Sequence, residues 1–229
     1  MQFTGITNDG GYQEYMVAPA GYIAPLPEKL DFADAAPLMC AGLTVFSGLR
    51  HARFTPGFKV AVIGLGGLGH LAVLLVRAMN GRVAILSTNA DKREQAFSLG
   101  AERFINLKTE SPGEALHSWE GGANIIVATS PVADSMAAAF PGLAQNGTMV
   151  VLGAPPENIA VSPLDLIMGR RRLMGSPAGS RKDLRDVLDF AASHDIRPTV
   201  TRMPLEDAGK ALKEMHEGRI RGRAVLVMQ

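Results

Sequence analysis

The stretch KVAVIGLGGLGH, residues 59–70, decides the fold of this chain. A short apolar run, Val60 to Ile63, stops at a cluster of glycines, and apolar residues at helical spacing follow it. Glycine-rich turns are common in proteins, but an ordinary turn needs neither the apolar strand before it nor the amphipathic helix after it. The stretch therefore predicts the strand, tight turn and helix of a dinucleotide-binding unit.

Each glycine of the GxGxxG spacing has a separate task in such a unit. Gly64 permits the tight turn, Gly66 lets the backbone approach a pyrophosphate, and Gly69 lets the helix pack closely against the strand. The exposed N–H groups at the start of the helix then hold the phosphates. The candidate cofactor contacts in this turn are Gly64, Leu65, Gly66, Gly67, Leu68 and Gly69.

The composition excludes several other classes of function. The chain has 229 residues, and its 23 Lys and Arg residues balance 22 Asp and Glu residues, so no overall charge favours nucleic acid or an anionic membrane. The single cysteine, Cys40, rules out an intrachain disulfide and is typical of a reducing compartment. No apolar run matches the length of a membrane span, and the start lacks the features of a signal peptide. These features predict a cytoplasmic protein with no membrane and no nucleic-acid partner.

The chain from Lys59 onward alternates apolar runs with helical or turn segments, which predicts a parallel sheet with right-handed crossovers. Turns at Asn146-Gly147 and at Gly153 to Pro156 are expected to bracket one of its strands. Outside the sheet, the sequence predicts strand-like character over 12–18, two helical stretches over 31–53, helices at 184–192 and 205–217, and a last strand at 224–228. The apolar runs of the sheet are 60–63, 83–86, 104–105, 125–128, 149–152 and 173–174.

The end of the second strand decides which dinucleotide binds. An NAD site usually has an acidic residue there to hold the ribose hydroxyls, whereas this chain has Ser87, with Lys92 and Arg93 a turn later. A carboxylate within about 4 Å of a 2'-phosphate would cost on the order of 4 kcal/mol per charge pair at an effective dielectric of about 20. The neutral Ser87 therefore favours NADP. In the alternative interpretation, Asp91 caps the next helix while both cations stay solvated.

Four motifs in register resemble the zinc-dependent alcohol dehydrogenases of the medium-chain dehydrogenase/reductase superfamily, and most of all their cinnamyl-alcohol and aldehyde-reductase branch. The motifs are GGYQEYMV at 10–17, AAPLMCAGLTVF at 35–46, VIGLGGLGH at 62–70 and RGRAVLV at 221–227. The resemblance implies an α/β fold with a Rossmann-type doubly wound parallel sheet over 42–180. Residues 1–41 would be the remnant of a GroES-like β-rich catalytic domain, residues 181–229 would return to it, and its N-terminal zinc-binding part would be lacking.

The same resemblance implies roles for individual residues. Cys40 corresponds to a ligand of the catalytic zinc, Thr44 lies beside the nicotinamide, and Arg223 reaches a cofactor phosphate. The residues that accept a 2'-phosphate are Ser87, Thr88 and Lys92, and those around the nicotinamide are Thr129, Leu152, Gly153, Ala154, Gly175 and Ser176. A catalytic zinc takes three protein ligands, and the histidines of this chain show no paired metal-ligand spacing to complete such a set.

The implied function is hydride transfer between NADP(H) and a small alcohol or aldehyde, with zinc in an intact relative and impaired catalysis in this chain. Two alternatives stay open: a non-catalytic NADP-binding module, and a zinc-free enzyme resembling the quinone reductases. The cysteine at position 40 counts against the second alternative, because a zinc-free enzyme has no use for a ligand there. The resemblance also implies a homodimer that pairs through the edge strand near Leu173.

Overall fold

The computed structural model describes residues 4–228 and divides the chain into two compact units. The larger unit comprises residues 40–179, and the smaller one combines the segments before and after it. The two boundaries lie within two residues of those expected at 42 and 180.

The elements follow one another along the described chain with short connections. A π-helical turn, Leu38–Gly42, joins the first two helices, and 3₁₀ turns occur at Ala20–Tyr22, Phe140–Gly142 and Leu205–Asp207. In chain order the elements are α1 (Phe32–Pro37), α2 (Leu43–His51), β1 (Lys59–Ile63), α3 (Gly69–Ala78), β2 (Arg82–Ser87), α4 (Lys92–Ser98), β3 (Arg103–Asn106), α5 (Pro112–His117), β4 (Ala123–Ala128), α6 (Ala133–Ala139), β5 (Leu143–Val151), α7 (Pro163–Gly169), β6 (Arg172–Gly175), α8 (Arg181–Ser193), β7 (Val200–Pro204), α9 (Ala208–His216) and β8 (Arg223–Val227).

The larger unit is built on one parallel sheet in the order β3-β2-β1-β4-β5-β6, which confirms the predicted doubly wound fold. Along a strand, alternate side chains enter opposite faces of the sheet. Ile63 and Leu86 enter a cluster with Leu116 of α5 on one face, while Val62 and Ile85 have no exposed surface on the other. Both faces are therefore covered, which explains why these strands are apolar throughout.

The order of the sheet reverses between β1 and β4. Strands β1, β2 and β3 extend in one direction, and β4 then lies on the other side of β1 and begins the second half. In an open parallel sheet the crossovers diverge at this point and leave a crevice at the carboxyl ends of the strands, where ligands bind. The topology thus places a binding crevice next to the glycine turn after β1.

The opposite, amino edge of the sheet carries a group of polar and ionic contacts. Arg82, at the start of β2, makes a bidentate ion pair with Glu120, with N–O distances of 2.7 and 3.0 Å, and a third bond of 2.9 Å to Glu102. Its guanidinium also lies 5.6 Å from the ring centre of Trp119. The Lys59 ammonium donates to the carbonyl oxygens of Trp119 and Glu120. These contacts tie together the starts of β1 and β2 and the loop before β4.

The strand expected over residues 12–18 is absent, and this prediction was wrong. Within residues 4–228 this segment pairs with no strand, and Tyr15 and Val17 are 88% and 100% exposed. A strand needs a neighbour to satisfy its backbone groups, so strand-like composition alone does not form one.

The prediction that a turn at Asn146-Gly147 precedes a strand was also wrong, because both residues lie inside β5. The pairing of β4 with β5 shifts register here: Ala123 faces Leu143, yet Ile125 faces Thr148. The extra residues form a bulge, and Asn146 adopts a φ of 61° in it. Asparagine tolerates this left-handed conformation better than most residues, which is why the pair resembled a turn.

The smaller unit contains a two-stranded parallel sheet, β7 with β8, where the sequence indicated only a proline-flanked segment and a strand. Asp31 caps α1 by accepting from the Ala33 amide at 2.7 Å, and Arg202 of β7 donates to the same carboxylate at 3.0 Å. Both interactions lower the pKa of Asp31, the backbone bond most. Helix α8 begins with a capping box between Ser180 and Asp183.

The helical run Phe32–His51 is long and apolar enough to cross a membrane by length and composition, contrary to the expectation that no such run exists. The expectation was wrong because residues 31–53 were predicted to form two separate helices. The π-helical turn Leu38–Gly42 instead makes the helical run continuous. In the structure 67% of its most apolar window is buried inside the protein. A buried core helix of a soluble protein meets the same criterion.

Candidate dinucleotide-binding site

A cavity of about 340 Å³ opens at the carboxyl ends of β1, β2 and β4, at the reversal point of the sheet. Its size is at the lower end of the range of small-molecule sites, roughly 300–1,000 Å³. The predicted cofactor residues that line it are Gly64, Leu65, Gly66, Gly67, Leu68, Ser87, Thr88, Lys92 and Thr129. The structure therefore brings the glycine turn, the end of β2 and the end of β4 to one place.

The geometry of the turn explains the glycine spacing. Gly64 has a φ of 92°, a conformation that side chains rarely adopt. A Cβ atom on Gly69 would overlap the carbonyl oxygen of Gly64, so the start of α3 can lie this close to the turn only with glycine there. Gly66 differs, because apart from Gly66 itself and its two chain neighbours no residue of the described chain has an atom within 4 Å of the position of its Cβ. The space beside Gly66 is open for a ligand.

Side chains from two other elements hold the carbonyl groups of the turn. The Thr129 hydroxyl, after β4, lies 2.8 Å from the Ile63 carbonyl oxygen and 3.2 Å from that of Gly64. The Lys92 ammonium, at the start of α4, donates to the carbonyl oxygen of Leu65 at 2.9 Å. Lys92 thus lies against the turn and also lines the cavity, where its charge is available to an anion.

His70 holds a further carbonyl group of the turn, that of Gly66. Its backbone N–H and its ring atom Nδ1 both lie 3.1 Å from the carbonyl oxygen of Gly66. The side chain is 1% exposed. The only sequence signal for this contact is the separation of four residues, which is about one turn of a helix.

The end of β2 is neutral. Ser87 is 6% exposed, and its hydroxyl accepts from the Asn89 amide at 3.2 Å. Asp91 lies at the N-cap of α4 without accepting a capping bond there, so the alternative role of capping is wrong. The guanidinium of Arg93 lies 5.4 Å from the ring centre of Phe97, outside the cavity. Of the two predicted cations, the structure brings only Lys92 to the site.

Apart from Thr129, which follows β4, the predicted nicotinamide residues near the sheet lie at the ends of β5 and β6. A Cβ atom on Gly48 of α2 would lie 3.3 Å from the Leu152 side chain and 3.8 Å from that of Ser176, so the helix lies close to both strand ends. Thr44 is one turn before Gly48 and shares its face of the helix. Its hydroxyl donates to the Cys40 carbonyl oxygen at 2.8 Å. The same helix that packs on Leu152 and Ser176 at Gly48 thus carries Thr44, and the assignment of Thr44 to the nicotinamide stays a prediction.

The other predicted residues of this end are backbone positions. The amides of Leu152 and Gly153 both donate to the Ala128 carbonyl oxygen, at 3.0 and 2.9 Å, which places Gly153 beside the turn after β4. Ala154 and Gly175 are exposed. Arg223 lies at the start of β8 in the smaller unit, and its assignment to a cofactor phosphate stays a prediction.

The residues present do not form a zinc site. Cys40 is exposed, in the π-helical turn before α2. Within residues 4–228 no group of three or more His, Cys, Asp or Glu side chains lies close enough to hold a metal ion. A catalytic zinc needs three protein ligands, so the described residues do not fit this metal, and the assignment of Cys40 as a ligand stays a prediction.

Several residues of the cavity were not predicted. The turn after β4 contributes Ser130, Pro131 and Val132, and the end of β3 contributes Leu107. Their positions directly after apolar strands were a usable signal, because the carboxyl ends of parallel strands meet at one edge of the sheet.

The sheet order, the reversal point and the glycine turn together define a Rossmann-type dinucleotide-binding protein. A family model described as zinc-binding dehydrogenase matches residues 67–193. An alcohol dehydrogenase from Geobacillus stearothermophilus is 36% identical over 225 residues, which is 98% of this chain and 66% of that enzyme. The chain thus belongs to the zinc-binding dehydrogenase family, as the motifs predicted, and spans about two thirds of the length of such relatives.

Solved structures agree with this assignment. A cinnamyl alcohol dehydrogenase from Sorghum bicolor superimposes with a TM-score of 0.89 at 30% identity, covering 97% of this chain and 63% of that one. A Helicobacter pylori enzyme of the same kind, complexed with NADP(H), gives a TM-score of 0.70 at 30% identity over 84% of this chain and 54% of its own. An acetophenone reductase from Geotrichum candidum, complexed with NAD, gives a TM-score of 0.80 at 26% identity, covering 95% of this chain and 62% of that one. Relatives of this fold therefore use either nicotinamide cofactor.

Proposed function

We propose that this chain binds NADP(H) and belongs to an enzyme that transfers hydride between that cofactor and a small alcohol or aldehyde. Membership of the zinc-binding dehydrogenase family supports the reaction class, and its relatives include proteins named alcohol dehydrogenases. The preference for NADP rests on the cavity.

One observation carries the cofactor assignment: among the described residues that line the cavity, none is acidic, and Lys92 is the one charged side chain. An NAD site usually presents a carboxylate to the ribose hydroxyls at the end of β2. Here that position is Ser87, which lines the cavity together with Thr88. Two hydroxyls and an ammonium group suit the extra phosphate of NADP, since they donate hydrogen bonds to it and do not repel its charge.

The residues of the chain would bind and orient the cofactor. The amides of residues 65–68 donate to no backbone carbonyl in the described chain, and the space beside Gly66 is open, which suits the pyrophosphate. Thr44 on α2, Leu152 after β5 and Ser176 after β6 would set the position of the nicotinamide ring. The bound cofactor supplies or accepts the hydride. Because the described residues form no zinc site, no step of the reaction is assigned to a metal in this chain.

A non-catalytic NADP-binding module is the second candidate, and the lack of a metal-binding cluster within residues 4–228 favours it over a complete catalytic centre. A zinc-free enzyme resembling the quinone reductases is the third candidate. Reduction of a quinone by NADPH in the presence of a chelator would identify it. Zinc-dependent alcohol oxidation would identify the first candidate, and cofactor binding without either activity would identify the second.

A second copy of the chain is the proposed partner, in a cytoplasmic protein. Strand β6 is an unpaired edge of the sheet in the described chain, and Leu173 on it is 39% exposed. The neighbouring helix α7 exposes Leu164, Ile167 and Met168 by 65 to 70%. An exposed strand edge flanked by apolar side chains is a surface that proteins usually cover. Sedimentation of the wild-type chain and of Leu173→Asp would test this pairing.

Calorimetric titration of the chain with NADPH and with NADH tests the cofactor assignment. We expect NADPH to bind at least tenfold more tightly, because only NADPH has a phosphate for Ser87, Thr88 and Lys92. Tighter binding of NADH would contradict it. Lys92→Gln should reduce the preference for NADPH, and Arg93→Gln is the matched control, since Arg93 lies outside the cavity.

A further inference from the structure

We propose that His70 is a positioning residue for the cofactor: its ring fixes the peptide group between Gly66 and Gly67 so that the Gly67 amide faces the pyrophosphate. The inference rests on the proposed binding of a dinucleotide at this turn. It concerns the pyrophosphate and not the choice between NAD and NADP.

The contact is specific in its geometry. The ring atom Nδ1 and the backbone N–H of His70 both lie 3.1 Å from the carbonyl oxygen of Gly66. Because a carbonyl oxygen only accepts, a hydrogen bond here requires the hydrogen on Nδ1. The side chain is 1% exposed, so the surrounding protein restricts its rotation. The Gly66 carbonyl is therefore held toward α3 by two donors of one residue.

The orientation of the amide follows from the planar trans peptide. In such a peptide the C=O and N–H bonds point in opposite directions. With the Gly66 oxygen held toward α3, the Gly67 N–H points away from the helix and toward the side where the turn is open. A peptide group between two glycines has little steric preference of its own, and Gly66 is exposed with free space around it. The His70 ring thus adds a second donor to the backbone N–H in keeping one orientation.

The two preceding peptide groups are held in the same way. Lys92 donates to the Leu65 oxygen and Thr129 lies within hydrogen-bond distance of the Gly64 oxygen. Three successive carbonyl groups are thus held by side chains from α4, the end of β4 and α3. Among the described residues no backbone carbonyl accepts from the amides of residues 65–68. Such a run of free amides is the arrangement that binds phosphate.

His70 is the informative member of this group. Lys92 would also contact the 2'-phosphate by its charge, and Thr129 lines the cavity, so their substitution would remove contacts with the cofactor as well. His70 does not line the cavity. Any effect of its substitution on binding must therefore act through the turn.

Two variants separate positioning from general packing. Asparagine places its side-chain N–H₂ near the position of Nδ1 and keeps the donor to Gly66, whereas glutamine extends beyond it. Both variants introduce a polar amide side chain, and the two side chains are similar in size. Thermal melting shows whether each variant is folded. Dissociation constants are measured for ADP-ribose, which contains the pyrophosphate, and for adenosine 2'-monophosphate, which lacks it.

We expect His70→Gln to reduce the affinity for ADP-ribose about tenfold, and His70→Asn to reduce it less than about threefold. The affinity for adenosine 2'-monophosphate should be unchanged in both variants. Equal affinities of the two variants for ADP-ribose, or a parallel loss for both ligands, would overturn the inference. A wild-type chain that binds neither ADP-ribose nor NADPH would refute the proposed function together with it. Wild-type binding with no difference between the variants would refute the inference alone.

The wild-type protein provides a measurement that needs no variant. Long-range proton–nitrogen correlation spectra distinguish a protonated from an unprotonated Nδ1 of His70. The inference requires a hydrogen on Nδ1 in the free and the cofactor-bound protein. An unprotonated Nδ1 in the free chain would overturn it even if neither variant folds.

Discussion

If the site prefers NADP as proposed, replacing Ser87 by aspartate should convert its preference to NAD. The serine hydroxyl accepts from the Asn89 amide at 3.2 Å, and an aspartate carboxylate at the same position can keep that bond. The turn after β2 is therefore expected to survive the change. What the change adds is one negative charge in a cavity wall that has no acidic side chain among the described residues.

The size of the effect follows from Coulomb's law. A carboxylate about 4 Å from a phosphate charge is repelled by roughly 4 kcal/mol at an effective dielectric of about 20, which corresponds to about a thousandfold in affinity. Salt and partial exposure of the cavity reduce this value, since the Debye length is about 8 Å at physiological ionic strength. We therefore expect Ser87→Asp to reduce the affinity for NADPH by about a hundredfold. NADH should bind as well or better, because the carboxylate can accept from its ribose hydroxyls.

The assay is titration of both cofactors against the wild type, Ser87→Asp and the neutral variant Ser87→Asn. The asparagine variant controls for the change of side-chain shape without charge, and its loss of NADPH affinity should stay within about tenfold. Thermal melting without cofactor checks that the turn is intact, because position 87 is buried. If NADPH affinity in Ser87→Asp stayed within about threefold of the wild type, the 2'-phosphate would not lie at the end of β2.

Three further results are expected. Gly69→Ala should abolish dinucleotide binding and destabilise the chain by about 2 kcal/mol, measured by urea unfolding, because the added Cβ overlaps the Gly64 oxygen; Gly209→Ala, whose Cβ meets nothing within 4 Å, is the control. Arg82 lowers the pKa of Glu120, so their pairing stabilises the fold above the usual carboxyl pKa and is lost as the pH falls; from pH 6 to pH 3 the melting temperature of the wild type should fall more than that of Glu120→Gln, and equal decreases would contradict this. Leu173→Asp should yield only monomers in sedimentation if β6 pairs two copies, and an unchanged dimer would exclude this edge.

The glycine turn and the parallel sheet could be predicted from the sequence because they depend on local sterics and on the burial of whole strands. Gly64 needs a positive φ, and Gly69 needs the absence of a Cβ, whatever surrounds the turn. The segment over residues 12–18 could not be predicted in the same way, since a strand exists only with a partner. The bulge at Asn146 has the same cause, because a register shift is a property of two strands and not of one.

Within the site, the sequence identified which elements meet but not which side chains face the cavity. Lys92 and Arg93 are neighbours in sequence, yet successive residues of a helix point about 100° apart. Arg93 instead lies over Phe97, four residues later, a separation at which side chains of a helix meet. The contact between His70 and Gly66 has the same spacing. Both could have been found by examining pairs four residues apart at the helix starts.

The ionic group around Arg82 lies at the amino edge of the sheet, and the cavity lies at the carboxyl edge. These edges are separated by the length of the strands, and the residues that anchor the strand starts contribute nothing to the cavity wall. Substitutions that alter cofactor choice can therefore accumulate at one edge while the other keeps the strands aligned. Such a division would let descendants of this chain exchange one nicotinamide cofactor for the other without first losing the fold.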